Sequence, residues 1–207
     1  FKRLLFNQFL YQGKLHEAQE LISSDEEPFS GTGAKGTILF LTGMLEEAIA
    51  AFEEDIAVLQ SFSQDDNVAF FGPTGLFHVL AMLQHEEREN YNNVADQISV
   101  AITNFSGAVE VQAYHFLASV INNQLKGAPP QDLTALKEDT PLHSITLLFA
   151  GLCQYWLNSS LQSDLEKRIK KNLKQALRHD YQLIAIGYAE ILEKISHDST
   201  ELIAQTK

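Results

Sequence analysis

The chain has little of several things that would narrow its function at once. Its 207 residues include one cysteine, one tryptophan, two methionines and five prolines. A lone thiol, Cys153, excludes an internal disulfide and fits a reducing compartment, so a cytoplasmic location is expected. Its apolar helical surroundings predict a buried, inert thiol rather than a nucleophile. No apolar run approaches the roughly 18 residues that a membrane helix needs. The longest, such as Leu147 to Leu152, suit a buried helix segment, and no membrane partner is expected. Positive charge is scarce as well: 15 Lys and Arg face 27 Asp and Glu, a formal net charge of −12. That balance disfavours general nucleic-acid binding through a basic surface. Alternating strand patterns with hairpin turns are missing too. No secretory cleavage pattern follows Phe1-Lys2-Arg3, and the sequence reads as a piece of a longer protein.

What is present is helical and repetitive. Gly13-Lys14-Leu15-His16-Glu17-Ala18 reappears as Gly43-Met44-Leu45-Glu46-Glu47-Ala48, thirty residues later. An apolar helical stretch precedes each glycine and an amphipathic stretch follows it. Glycine ends the first helix because the chain must turn left-handed there. Leu15 and Leu45 are expected to pack back onto the first helix. Ala18 and Ala48 would let the two helices approach closely. The product is an antiparallel helical hairpin, which buries its apolar faces only by stacking on others.

The run Gly36-x-x-Leu39-x-x-x-Gly43-Met44-Leu45-Glu46-Glu47-Ala48-Ile49-x-x-Phe52 resembles the tetratricopeptide consensus. Its small, large, glycine, large, alanine and aromatic positions are in step. The copy from Phe6 to Ile22 departs at its first small position, occupied by Phe6. A third copy through Tyr91, Val94, Ile98 and Ala101 lacks the turn glycine. Asp55 stands where the consensus has alanine, and the closing proline is missing. The likeness covers about a third of the chain and implies an irregular α-α superhelix of about nine to eleven helices. It also implies a concave surface that grips peptides or helices of partner proteins. The order of segments is, in addition, similar to the helical region ahead of the motor in large bacterial Swi/Snf-type helicase-like ATPases. Leu39–Phe52, Gly72-Pro73-Thr74-Gly75-Leu76-Phe77 and the helix through Phe149, Cys153, Tyr155 and Trp156 carry that resemblance. It implies an accessory domain whose motor lies elsewhere.

Helix signals continue to the C-terminus. Pro73 suits the first turn of a helix to about Gln84, with Leu76, Phe77, Leu80 and Leu83 on one face. Val109, Ala113, Phe116, Leu117 and Val120 recur at helical spacing. Gly127-Ala128-Pro129-Pro130 is the clearest break, read as a loop within one domain 1–207 rather than a linker between sub-bundles 1–126 and 131–207. Thr140-Pro141 suits a helix start, followed by an apolar stripe from Leu142 to Trp156 that reads as core. Ser160 is expected to cap a helix to His179, and Tyr181–Ile195 reads as the last.

Motifs of chemistry fail on inspection. Gly31-Thr32-Gly33-Ala34-Lys35-Gly36-Thr37 imitates a phosphate loop, but Gly36 separates the Lys from the Thr and no strand precedes it. A flexible lead into the second hairpin is expected instead. His16-Glu17-Ala18-Gln19-Glu20 and His85-Glu86-Glu87-Arg88-Glu89 lack the second histidine of a zinc helix. His115, among apolar neighbours, is expected in the core. No nucleophile elbow occurs. Glu46-Glu47, Glu53-Glu54-Asp55 and Glu86-Glu87-Glu89 are expected to form a solvated face. The sequence therefore predicts no enzyme, no cofactor and no metal.

The best candidate surface is one helix. Lys167, Lys170, Lys171, Lys174 and Arg178 fall mostly on one side, while Leu165, Ile169, Leu173 and Leu177 occupy the other. Such a stripe suits an acidic partner, an acidic part of the same protein, or phosphates. It has no interleaved aromatics for stacking bases. The sequence thus predicts an all-α protein of stacked antiparallel hairpins, held together by Gly13, Leu15, Ala18, Gly36, Gly43, Leu45, Ala48 and Phe52. Its expected partner is a protein, a peptide or another domain of the same chain, with nucleic acid less favoured.

Overall fold

The computed structural model describes residues 1–25, 27–63, 67–70, 73–85, 92–106, 111, 113–115, 117, 118, 144, 147, 148, 151 and 163–195. Among them every regular element is helical. In chain order these are α1 (Lys2–Tyr11), α2 (Leu15–Ser24), a 3-10 turn (Glu27–Phe29), α3 (Ala34–Leu41) and α4 (Leu45–Ser63). They continue as α5 (Pro73–His85), α6 (Asn92–Asn104), α7 (Ser163–Arg178) and α8 (Gln182–Ile195). The expected break at Gly127–Pro130, the Thr140-Pro141 start, most of the stripe from Leu142 to Trp156 with Cys153, and the Ser160 cap lie outside the described residues. So do Tyr91, the acids Glu86, Glu87 and Glu89, and Val109, Phe116 and Val120.

The two motif copies fold alike. The Gly13 amide donates to Leu10 O and the Lys14 amide to Phe9 O; thirty residues on, Gly43 donates to Phe40 O and Met44 to Leu39 O. This is the Schellman pattern of a helix end. Gly13 and Gly43 carry φ of +71° and +83°, the left-handed region that glycine enters at little steric cost. Ala18 and Ala48 are completely buried at the crossing of each hairpin. Leu15 and Leu45 pack against the core but stay half-exposed, so the alanines rather than the leucines occupy the tightest positions.

Packing then proceeds helix by helix: α1 on α2, α2 on α3, α3 on α4, α4 on α5, and α5 on both α3 and α6. A small cluster of Phe6, Leu10, Ala18, Ile22, Phe29, Ala34 and Ile38 fills the first hairpin and the start of the second. A larger one runs from Ala48 and Phe52 through α5 and α6 to α7 and α8. Leu41 packs against both. The helix expected near Pro73–Gln84 is present, but its burial is not one-sided. Gly75 to Ala81 and Leu83 are all buried, because α5 is covered by α3, α4 and α6 and joins the same core as α7 and α8. Val94, Ile98 and Ala101 of α6 are buried at helical spacing.

The α7–α8 pair is a hairpin made without glycine. Asp180 takes φ of +57° there, and the Tyr181 amide donates to Ala176 O, the six-residue closure seen at Lys14 and Met44. An aspartate tolerates this region better than most residues, yet it incurs a steric cost that glycine avoids. Asp180→Gly is expected to raise stability by about 0.5–1 kcal/mol in urea denaturation.

The segment Gly31–Thr37 is tied down rather than flexible. Asp55 of α4 accepts the Gly31 amide on Oδ1 and the Gly33 amide on Oδ2, both at 2.8 Å. Thr37 Oγ1 donates to Gly33 O at 2.9 Å within the first turn of α3. One carboxylate therefore ties the loop that leads into α3 to α4. Asp55→Ala is expected to cost about 1–3 kcal/mol, read as a lower denaturation midpoint at unchanged slope.

Candidate functional site

Reactive side chains do not converge on one point among the described residues, and no three His, Cys, Asp or Glu there gather as metal ligands would. None of the described helices is long and apolar enough to cross a membrane. The loop that imitates a phosphate loop gathers amides around an anion, but the anion is Asp55 of the same chain.

The histidine in the core is not the expected one. His115 is exposed, whereas His78 is buried within α5. Among the described residues of 113–117, His115 faces outward while Ala113, Tyr114 and Leu117 face inward. His78 lies against Phe52 at 4.9 Å and Phe70 at 5.4 Å between ring centroids. Its Nδ1 has no hydrogen-bond partner among the described residues. Burial in this aromatic setting pushes its pKa down from 6.5 to about 4. The ring is thus neutral at physiological pH and serves as packing.

The basic stripe does assemble. Lys167, Lys171, Lys174 and Arg178 are exposed along α7 and Lys170 is half-exposed, while Leu165, Ile169, Leu173 and Ala176 are buried beneath. Leu177, expected on the buried side, is half-buried at its edge. Lys170, Lys171, Lys174, Gln175 and Arg178 border one open groove of about 400 Å³. Lys170 Nζ is paired with Glu166 at 2.7 Å one turn earlier, which offsets part of its charge within the helix.

A second surface was not legible from the sequence. Helix α8 packs against α1, and the backbone at Gly13 comes close to Gln182. Beside that contact lies a mainly apolar pocket of about 300 Å³. Its walls are Leu15 beside the first turn, Phe40 and Leu41 of α3, Phe77 and Leu80 of α5, Leu148, and Leu183, Ile186 and Gly187 of α8. Phe40 and Phe77 meet ring to ring at 6.0 Å in its floor. Gln84 and Glu190 are its polar lining, and Ile186 is 42% exposed. Helices α3 and α5 thus face α8 across this space. Only the fold brings residues 15, 40, 77 and 186 together, so no local pattern announces them.

Of the motif residues, Ala18, Gly36, Ala48 and Phe52 are buried, Leu15 and Leu45 are half-buried, Gly13 and Gly43 take positive φ at their turns, and Gly13 and Leu15 also line the pocket. Compared with protein-family models, characterised proteins and solved structures, the chain matches none.

The low pKa of His78 makes a stability prediction with a definite sign. Below pH 6.5 the unfolded chain takes up a proton that the folded chain refuses until about pH 4. Stability is therefore complete above pH 6.5 and falls as pH drops through that window, by about 3 kcal/mol from this residue. His78→Leu is expected to flatten the fall between pH 6.5 and 4, measured by urea denaturation across pH.

Proposed function

We propose that this chain is a non-catalytic protein-interaction module, and that the pocket between α3, α5 and α8 receives a bulky apolar side chain of a partner segment. The observation that supports this reading is the pocket itself: concave, walled by Phe40, Phe77, Leu80 and Leu183, and edged by the exposed Ile186. Apolar pockets with a few polar groups at the rim are the usual shape of binding sites. Glu190, Gln84 and a net charge of −12 favour a partner with Lys or Arg beside the apolar anchor. Burying one Leu or Phe side chain contributes about 1.5–3 kcal/mol, so an isolated peptide binds weakly and a longer segment gains from neighbouring contacts. A peptide-gripping role is also what the tetratricopeptide likeness implies.

Peptides selected from a random displayed library test the reading. The expected consensus is a bulky apolar residue with a basic neighbour. Binding should be lost in Ile186→Asp, weakened in Glu190→Lys and unchanged in Lys170→Glu/Lys174→Glu. Selected peptides that bind all variants equally would count against the pocket.

A second reading takes the chain as the accessory helical domain of a Swi/Snf-type ATPase that meets nucleic acid through α7. The convergence of Lys170, Lys171, Lys174 and Arg178 on one groove favours it. A salt-dependent shift of duplex DNA, removed when Lys170, Lys171 and Lys174 become Glu, is its expected signature.

A further inference from the structure

The cations of α7 form a ladder with a definite repeat. Lys167 and Lys174 are seven residues apart, and so are Lys171 and Arg178. At 3.6 residues per turn all four fall within an arc of about 60°, each pair separated by about 10.5 Å along the axis. A groove bordered by Lys174 and Arg178 runs beside them.

The same repeat, in the opposite sign, occurs on α4. Glu46 and Glu53 are seven apart, as are Glu47 and Glu54, and all four are exposed. Between these two acidic rows lie Ala50 and Ala57, also exposed, which keep the helix face flat. Small residues along such a centre line let another helix approach closely, with charges on either side to fix its register. The buried residues of α4, Ala48, Ala51 and Phe52, belong to the inward side.

We infer that α7 of one copy of this chain docks on the acidic face of α4 of a second copy, the two seven-residue charge ladders pairing across the contact. Charge complementarity argues for this occupant. Residues 1–63 hold ten acids against four bases, while α7 holds six bases against two acids. The ladder spans little more than three turns and has no aromatic among its cations, which suits a helix better than stacked bases. The contact uses different faces of the two copies, so one copy's α4 and its own α7 are both available to neighbours. This surface is separate from the pocket bounded by α8, and either proposal can fail without the other.

Sedimentation velocity of the whole chain across a concentration series, at low and at high salt, tests the inference. Mass above that of the monomer at low salt, dissociating at high salt, is expected. Lys174→Glu/Arg178→Glu alone and Glu47→Lys/Glu54→Lys alone should each weaken association about tenfold or more. All four positions are exposed, and unchanged circular dichroism verifies that the variants fold. Mixed in equal amounts, the two variants should associate again, because one now carries two basic faces and the other two acidic ones. A wild-type chain that stays monomeric at low salt overturns the proposal. So does association that survives either pair of substitutions, or a mixture that stays apart. Binding of duplex DNA that Lys174→Glu/Arg178→Glu abolishes assigns the ladder to phosphates and overturns it equally.

Discussion

The ring of Phe52 lies where α3, α4 and α5 meet, and most of the core is arranged around it. It is completely buried. On one side it faces Gly36 so closely that a methyl group there would come within 2.6 Å of the ring. On another it lies 5.6 Å from Phe70 and 4.9 Å from His78. A missing side chain on α3 thus makes room for an aromatic of α4, which in turn is the floor on which α5 rests. Interiors are packed too densely for any of these three positions to change size alone.

Two polar features protect this arrangement. Asp55, one turn beyond Phe52, accepts the Gly31 and Gly33 amides just ahead of α3, so the lead into α3 is joined to α4 by charge-assisted hydrogen bonds as well as by packing. The segment 67–70 is held to α6 by Gln97 Nε2 donating to Val68 O and Asn104 Nδ2 donating to Asn67 O, which keeps Phe70 against Phe52. At the far end, Tyr188 of α8 donates its hydroxyl to Ser144 O at 2.6 Å. Helix α8, so anchored, crosses toward α1 and leaves the pocket between itself, α3 and α5. The proposed interaction site is therefore a product of how the last hairpin meets the first ones.

Local patterns were legible in the sequence and long-range ones were not. The paired glycine turns, the buried alanines and the two faces of α7 each depend on residues within a few turns of one another, and periodicity reveals them. Asp180 marks a hairpin by the same geometry as Gly13, but aspartate at a turn has too many other uses to announce it. Asp55 looked like a defect in a repeat because its partners lie more than twenty residues earlier. His115 and His78 both sit in apolar runs, and only the packing of neighbouring helices decides which faces inward. The pocket draws on residues from Gly13 to Glu190, so no window of sequence contains it.

A double-mutant cycle between Gly36→Ala and Phe52→Leu measures the constraint at the centre of this account. Gly36→Ala alone forces the ring of Phe52 to move, and Phe52→Leu alone leaves a cavity. Together the smaller leucine makes room for the added methyl. The combined loss of stability should then fall short of the sum by about 1 kcal/mol or more. Simple additivity of the two losses would contradict the claim that this contact sets how α3, α4 and α5 come together.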